Sequence, residues 1–323
     1  MIARMLGIRI FDVEVSSRCN LHCRFCPREE LPETGLMSEK TFERFLEQVP
    51  LRGTDNLAFV GMGEPTLNPR LPDFIRRAKA RYPKVITWVT SNGTRLTEDI
   101  VRSLIDAGLD ILDVSFNGLD REAYEDQMRG ARYEESLANI ERAAQLIEAS
   151  GSRMTLQINY VVNRETAGRE GEIEGFWQRR GIRHFRRQAV HDRAGLADVG
   201  DLVAGQERGL RGGSCTLFEV TTFVTWRGDV LYCCHDMRRA HRIGSLTEES
   251  WAAIEARKAE IRGKRQWPAM CAQCSDPLRH GIRREIDQKI REEIRRRVGQ
   301  GWRTVKATMA GQIGSPRLPA VNS

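Results

Sequence analysis

The stretch SSRCNLHCRFCPREE, residues 16–30, places Cys19, Cys23 and Cys26 within eight residues at a C-x3-C-x2-C spacing. Three thiols fall one short of the four protein ligands that close a structural zinc site. Their flanks, Asn20, His22, Arg24 and Arg28, are polar, which argues against three small buried hydrophobes. A 4Fe–4S cube held by only three thiolates leaves one iron without a protein ligand, and that iron is open to another molecule. The loop follows the apolar stretch FDVEVS. Ligand sites of open α/β sheets lie just beyond the carboxyl ends of strands.

From that loop to about Val190, short apolar runs alternate with longer amphipathic ones. NLAFVG, VITWVTSNG, ILDVSFNG, RMTLQINYVV and RHFRRQAV read as further strands. SEKTFERFLEQVP with Ser38 as its cap, LPDFIRRAKARYP, TEDIVRSLIDAG closed by Gly108, YEESLANIERAAQLIEAS and EIEGFWQRRG read as helices. Strands alternating with helices imply parallel strands joined by right-handed crossovers. Six such units suit an open, partial (β/α)6 barrel of the α/β class better than a closed eight-stranded one.

After Ala194 the pattern changes. A Gly-rich linker (194–213) leads into FVTWRGDVLYCC, a hairpin turning at Arg227, Gly228 and Asp229, and then a helix, TEESWAAIEARKAEIRGK. The expected domains are a barrel core over 1–200, a small second domain over 201–280, and a basic helix with a disordered tail over 281–323.

The chain has 323 residues, 40% apolar and 29% charged, enough for a sizeable core. No apolar run reaches the ~18 residues of a spanning helix. The first residues lack a signal-peptide pattern, so a cytoplasmic location is expected, with metal ligation or catalysis as the use of eight cysteines. The net charge is +7, but the Arg-rich stretch 279–306 interleaves acidic residues at helical spacing. That pattern describes a solvated helix laced with ion pairs better than a nucleic-acid surface.

C-x3-C-x-aromatic-C, with Phe25 before Cys26, resembles the signature of the radical S-adenosylmethionine (radical SAM) enzymes. GMGEP (61–65) resembles the family's glycine-rich motif after strand two, TSNGT (90–94) its third-strand ending, and DVSFNG (113–118) its fourth. Met62 stands where a glycine is commoner. The resemblance implies that Cys19, Cys23 and Cys26 hold a 4Fe–4S cluster whose open iron binds S-adenosylmethionine. It places Gly61, Gly63 and the Glu64 carboxylate at the methionine amino group. Phe25, Ser91 and Asn92 lie near the cofactor, and Ser115 and Asn117 near its ribose or carboxylate. It further implies cleavage to a 5′-deoxyadenosyl radical that takes hydrogen from a C–H bond, and an electron donor of the flavodoxin or ferredoxin type.

Cys215, Cys233, Cys234, Cys271 and Cys274 come from three places that can meet at one site. Their layout resembles the shortened SPASM ("twitch") domain, which holds one auxiliary 4Fe–4S cluster. That resemblance makes Cys215, Cys233, Cys271 and Cys274 the ligands, with zinc as the alternative metal. Cys234 is left over. Strand alternation places it on the opposite face from Cys233. It is read either as a hydrogen-atom donor, as in radical epimerases, or as a packed small residue. The expected reaction is oxidation of a sugar, cyclitol or peptide substrate, with epimerisation as the alternative. A zinc-containing nucleic-acid-binding protein is the alternative of another class. His184, His191, His235 and Asp236 fall where they can reach the barrel mouth.

Overall fold

Strand β1 (Ile10–Val13) alternates between part-exposed and buried residues. Phe11 turns toward the helix layer, where its ring meets Phe45 and Trp251 at centroid distances of 6.1 and 5.8 Å. Alternation along a strand therefore turns Asp12 to the other face. The computed structural model that shows this describes residues 9–200, 208–210, 214–277 and 279.

Strands β2 (Asn56–Phe59), β3 (Ile86–Ser91), β4 (Ile111–Ser115), β5 (Thr155–Val162) and β6 (His184–Ala189) follow β1 in sequence order, each parallel to its neighbour. Between them run α1 (Glu39–Gln48), α2 (Leu71–Arg81), α3 (Glu98–Asp106), α4 (Arg121–Gln127), α5 (Tyr133–Ala149) and α6 (Glu170–Gln178). The Ser38 hydroxyl caps α1 by accepting from Thr41 N at 3.1 Å. Gly108, at φ +79°, ends α3 in a left-handed conformation that favours glycine. Phe42 on α1 stacks on Phe74 on α2 at 4.3 Å, and each such burial contributes about 1.5–3 kcal/mol. Strand β6 ends the row and does not pair with β1, so the barrel is open. Helix α4 was not expected from the sequence.

The sheet also continues past β1 on its other side. Strand β7 (Thr221–Val224) pairs parallel to β1, β8 (Asp229–Leu231) antiparallel to β7, and β9 (Arg242–Ser245) antiparallel to β8. The expected hairpin is therefore present, with Gly228 at φ +91° in its turn. Its strands extend the barrel sheet to nine strands in the order β6-β5-β4-β3-β2-β1-β7-β8-β9. The β1–β7 pairing, Ile10 with Thr221, joins segments too distant for local pattern to reveal. Helices α7 (Thr216–Val220), α8 (Trp251–Lys264) and α9 (Met270–Gln273) complete the elements of the described residues, and Trp251 carries α8 onto Phe11. The expected basic helix and tail over 281–323 lie outside the described residues.

Register fixes which residues line the concave face. Asp12 stands beside Ala58, Ala58 beside Trp88, and on the other side Asp12 stands beside Phe223. Thr90, Asp113 and Gln157 form a second row. Tyr160 turns outward to Glu174 on α6 at 2.8 Å, so its neighbour Asn159 turns inward, beside Arg186. Fully buried Asp113 accepts from Thr90 Oγ1 at 3.1 Å, from Gln157 Nε2 at 2.8 Å, and from the Arg186 guanidinium. Arg186 also lies over the Trp88 ring, 5.1 Å from its centroid.

Candidate functional site

The loop carrying Cys19, Cys23 and Cys26 is held from two sides. Arg28 donates to the carbonyls of Leu21 at 3.0 Å, Cys19 at 3.2 Å and Ser17 at 3.5 Å. From outside, His22 N donates to Arg129 O at 2.9 Å, Arg24 N to Gln127 O at 3.0 Å, and the Arg24 side chain meets Asp126 at 3.0 Å. The unexpected helix α4 and the turn after it thus brace the cysteine loop. Arg28, read from sequence only as a polar flank, is the residue that shapes it. Burial pushes up the pKa of all three thiols, that of Cys23 to about 12, and Cys26 and Cys19 add to the rise at Cys23. The three sulfurs therefore share one site, while Phe25 between them is half-buried.

The turn GMGEP presses against the start of this loop. A Cβ on Gly63 would lie 2.4 Å from the Arg18 carbonyl oxygen and 2.6 Å from that of Ser16; one on Gly61 would lie 2.5 Å from Glu14 Cγ. Only glycine permits that approach. Met62 between them packs with Phe223, Leu231 and Met237, so the side chain in the unusual position fills a small apolar cluster at the hairpin.

Glu64 departs from expectation. Its carboxylate is 2% exposed and already accepts from Thr66 N at 3.0 Å, Thr66 Oγ1 at 2.7 Å, Ser91 Oγ at 2.9 Å and Asn92 N at 2.7 Å. Burial pushes its pKa up, and these donors pull against the rise. Glu64 therefore clamps the turn after β2 to the turn after β3 and does not present a free carboxylate. Among the described residues, nothing donates to the carbonyls of Gly61, Met62 or Gly63, which are acceptors left for an amine. Asn92 closes the ring: its Nδ2 donates to Asn20 Oδ1 at 3.0 Å and lies 3.9 Å from Cys19 Sγ. On β4, Ser115 Oγ lies 3.4 Å from Asn159 Nδ2, and Asn117 Oδ1 accepts from Val161 N at 2.8 Å. Asn117 is thus engaged in holding β4 to β5.

The second set assembles Cys215 before α7, Cys233 and Cys234 after β8, and Cys271 and Cys274 at α9. Burial pushes Cys215 and Cys274 up to about 11 and Cys271 to about 12. Cys274 also acts on Cys215, and Cys215 and Cys274 both act on Cys271. Cys233 and Cys234 do not point to opposite faces. Strand β8 ends at Leu231, so both lie in the turn beyond it, where strand alternation no longer applies. Their sulfurs and a ring nitrogen of His235 fall within 4.8 Å of one another. The interaction between the two thiols holds the Cys233 pKa above and the Cys234 pKa below that of a free thiol. Cys233 feels Cys215, while Cys234 acts on Asp12 in the barrel.

Of the residues expected at the mouth, His191 and His235 gather around Asp276. His235 Nε2 lies 2.7 Å and His191 Nε2 3.8 Å from the same carboxylate oxygen, and the two rings are 4.6 Å apart. Asp276 was missed, although it stands two residues beyond Cys274. Asp236 is structural, accepting from Ala240 N and His241 N at 3.1 and 2.7 Å, and His184 is exposed at the start of β6. A buried ion pair ties the two cysteine regions together: Arg239 meets Glu14 at 2.8 Å, and Glu14 also accepts from Met62 N at 3.1 Å.

The donor geometry bears on which metal fits. Four thiolates on one zinc at ~2.3 Å stand ~3.8 Å apart. Among the described residues, neither cysteine set brings three sulfurs within 4.8 Å of one another. Neither set is therefore drawn up as the four-thiolate shell of one zinc.

Comparison with known proteins agrees. Residues 13–165 match the model of the radical SAM superfamily, and residues 215–275 match that of an iron–sulfur cluster-binding domain, SPASM. The chain belongs to the radical SAM superfamily. Its cofactors are accordingly S-adenosylmethionine, a 4Fe–4S cluster and an auxiliary cluster. A probable GTP 3′,8-cyclase of Methanococcus aeolicus is 30% identical over 179 residues, 54% of this chain and 57% of that protein. A PqqA peptide cyclase of Granulibacter bethesdensis is 31% identical over 156 residues, 47% of this chain and 39% of that one. The chain thus spans about half the length of the curated relatives it matches. Among solved structures, BtrN in complex with AdoMet and 2-DOIA aligns over 84% of this chain and 94% of its own, with a TM-score of 0.55 at 20% identity. Native anSMEcpe with AdoMet and the Cp18Cys peptide aligns over 82% and 88%, with a TM-score of 0.59 at 17% identity. These likenesses show the fold, an α/β partial barrel. No helix among the described residues is long and apolar enough to cross a membrane.

Proposed function

We propose that this enzyme oxidises a sugar, cyclitol or peptide substrate by removing a hydrogen atom and then an electron and a proton. S-adenosylmethionine, bound at the three-cysteine centre and cleaved by one electron, supplies the 5′-deoxyadenosyl radical that takes the hydrogen atom. Cys19, Cys23 and Cys26 hold that centre. The carbonyls at residues 61–63 receive the methionine amine; Glu64 positions them from behind; and Phe25, Ser91, Asn92, Ser115 and Asn117 border the cofactor at the strand ends. Cys215, Cys233, Cys271 and Cys274 hold the auxiliary cluster, which suits it to accept the second electron. Residues 1–200 act as the radical core and 201–280 as the auxiliary unit, joined through β1 and β7. A flavodoxin- or ferredoxin-type protein supplies the first electron.

The observation that carries this reading is the packing of Cys234, next to Cys233, against the cluster of Met62, Phe223, Leu231 and Met237, with Phe223 standing beside Asp12 of the concave face. A substrate in the barrel then lies between the two centres. The same observation favours one second reading, epimerisation with Cys234 as hydrogen-atom donor, because its sulfur is on the barrel side. Relatives named for GTP and for a peptide, and neighbours solved with a peptide or 2-DOIA, do not choose the substrate. Product mass decides the reaction: oxidation lowers it by about two with no solvent deuterium at the reacting carbon, whereas a thiol donor brings in solvent deuterium at unchanged connectivity. A zinc-containing nucleic-acid-binding protein would leave both domain matches unexplained.

A further inference from the structure

The concave face holds polar groups that the chain itself leaves unsatisfied. Asp12 stands in register between Ala58 and Phe223, neither of which has a side chain able to hydrogen-bond. Among the described residues no hydrogen bond reaches its carboxyl, and only the more distant charges of Cys234, Arg186, Lys258 and His235 act on it. Asn159, 5% exposed and turned to the same face, has its Oδ1 without a partner, and so does Trp88 Nε1. The cations nearby are already engaged. Arg186 grips Asp113, and Lys258 donates to the Thr221 carbonyl at 2.5 Å and to Thr222 Oγ1 at 2.9 Å.

Asp12 is half-buried, whereas Asn159 Oδ1 and Trp88 Nε1 are buried atoms; a buried polar group without a partner is costly, and chains keep such groups mainly where a ligand completes them. Here the open positions are two acceptors and one donor, and one acceptor is ionisable. Their complement is a molecule rich in donors and carrying one positive charge. A phosphorylated ligand asks for the opposite, free cations and N–H donors.

We propose that Asp12 and Asn159 anchor a small hydroxylated substrate bearing a protonated amine, with the ammonium on the Asp12 carboxylate and a hydroxyl on Asn159 Oδ1. This deepens the function proposed above, since it rests on the substrate lying in the barrel between the two centres. The placement also explains why a carboxyl is kept on β1 at all. In the empty barrel, burial pushes its pKa to about 8, and an arriving ammonium restores the ionised form.

The test uses the full chain, anaerobically reconstituted, with three probes that share one ring: glucosamine, glucose and glucose 6-phosphate. Calorimetric titration at pH 6.5 keeps the glucosamine amine protonated; Asp12, protonated in the empty barrel at that pH, gives its proton to the buffer as the ammonium binds. Glucosamine is expected to bind about tenfold or more tighter than glucose, with glucose 6-phosphate weakest. Asp12→Asn is expected to abolish the preference for the amine, and Asn159→Asp to strengthen it. Equal binding of glucosamine and glucose, tightest binding of the phosphate, binding of none, or a preference that survives Asp12→Asn would each overturn the proposal. Reductive cleavage of S-adenosylmethionine by the Asp12→Asn protein is read alongside. Its retention shows the variant folded with its clusters. Its absence in wild type would defeat the radical SAM reading separately from the substrate proposal.

Discussion

Cys19, Cys23 and Cys26 lie on one loop, whereas Cys215, Cys233, Cys271 and Cys274 are drawn from segments up to 59 residues apart. The first set is shaped by contacts within reach of its own loop: Arg28 on three carbonyls, and the glycines of GMGEP against residues 16–18. The second depends on the fold, on the β7–β8–β9 extension of the sheet and the Arg239–Glu14 pair. In the function proposed above, the compact set of three leaves an iron free for chemistry, whereas the dispersed set of four closes around its cluster and serves as a relay.

The largest effect is expected from removing either set alone. With Cys19, Cys23 and Cys26 all changed to Ala, reductive cleavage of S-adenosylmethionine is lost while about four irons per chain remain. With Cys271 and Cys274 changed, cleavage survives and product does not form. Iron counts and deoxyadenosine yield separate the two, and zinc in the remaining site would break the comparison.

Gly63→Ala sharpens it without touching a ligand. The new methyl would meet the Arg18 and Ser16 carbonyls at 2.4 and 2.6 Å, so the turn or the loop must move. The first centre's iron is expected to fall with the second's unchanged; equal loss from both would show that the two regions are not independent.

Arg239→Ala attacks the other side. It leaves Glu14 buried and unpaired, a loss of about 3–5 kcal/mol in stability. Pairing it with Glu14→Gln should restore part of that. Urea denaturation of the single and double variants reads the difference, and a single variant as stable as wild type would show that the ion pair does not hold the regions together.

Glu64→Ala is expected to be milder. Four hydrogen bonds are lost, two from Thr66 within the turn after β2 and two that join it to Ser91 and Asn92 at the end of β3, and affinity for S-adenosylmethionine should fall about ten- to a hundredfold with both clusters intact. Equilibrium dialysis decides, and unchanged affinity would remove Glu64 from the site.

The comparison also explains what the sequence made legible. Strand and helix alternation showed six barrel units because each obeys a local period, and C-x3-C-x2-C stood out because its ligands share a loop. The β1–β7 pairing was hidden since parallel neighbours carry no mark of their partner. The Cys233–Cys234 geometry was misread because strand alternation was applied two residues past the strand's end. Glu64 was seen as important but turned the wrong way: which donors surround a carboxylate is a property of the assembled turns. Asp12, central to the substrate proposal, sat unnoticed in FDVEVS, since an alternating acidic residue normally marks a solvent-facing strand.

The most gradual effect concerns that residue and needs only the folded protein. Asp12 has its pKa raised from 3.8 to about 8, first by burial and then by Cys234, while Arg186, Lys258 and His235 oppose the rise. A carboxyl whose folded pKa lies above its unfolded value contributes most at low pH, below about 4, and that contribution is lost as pH climbs through 8. Asp12→Asn cannot ionise, so its stability relative to wild type should grow between pH 5 and pH 8. The slope is at most about 1.4 kcal/mol per pH unit, or roughly 2 °C in melting temperature per kcal/mol. Glu14→Gln is expected to trace a curve of the same sign, because burial raises that carboxyl too, while Arg239 and the N–H groups of Met62 and Trp226 oppose the rise. A pH-independent difference between Asp12→Asn and wild type would mean that Asp12 stays ionised in the empty barrel, paired with one of the cations around it, and the barrel would then lack the free acceptor on which amine binding depends.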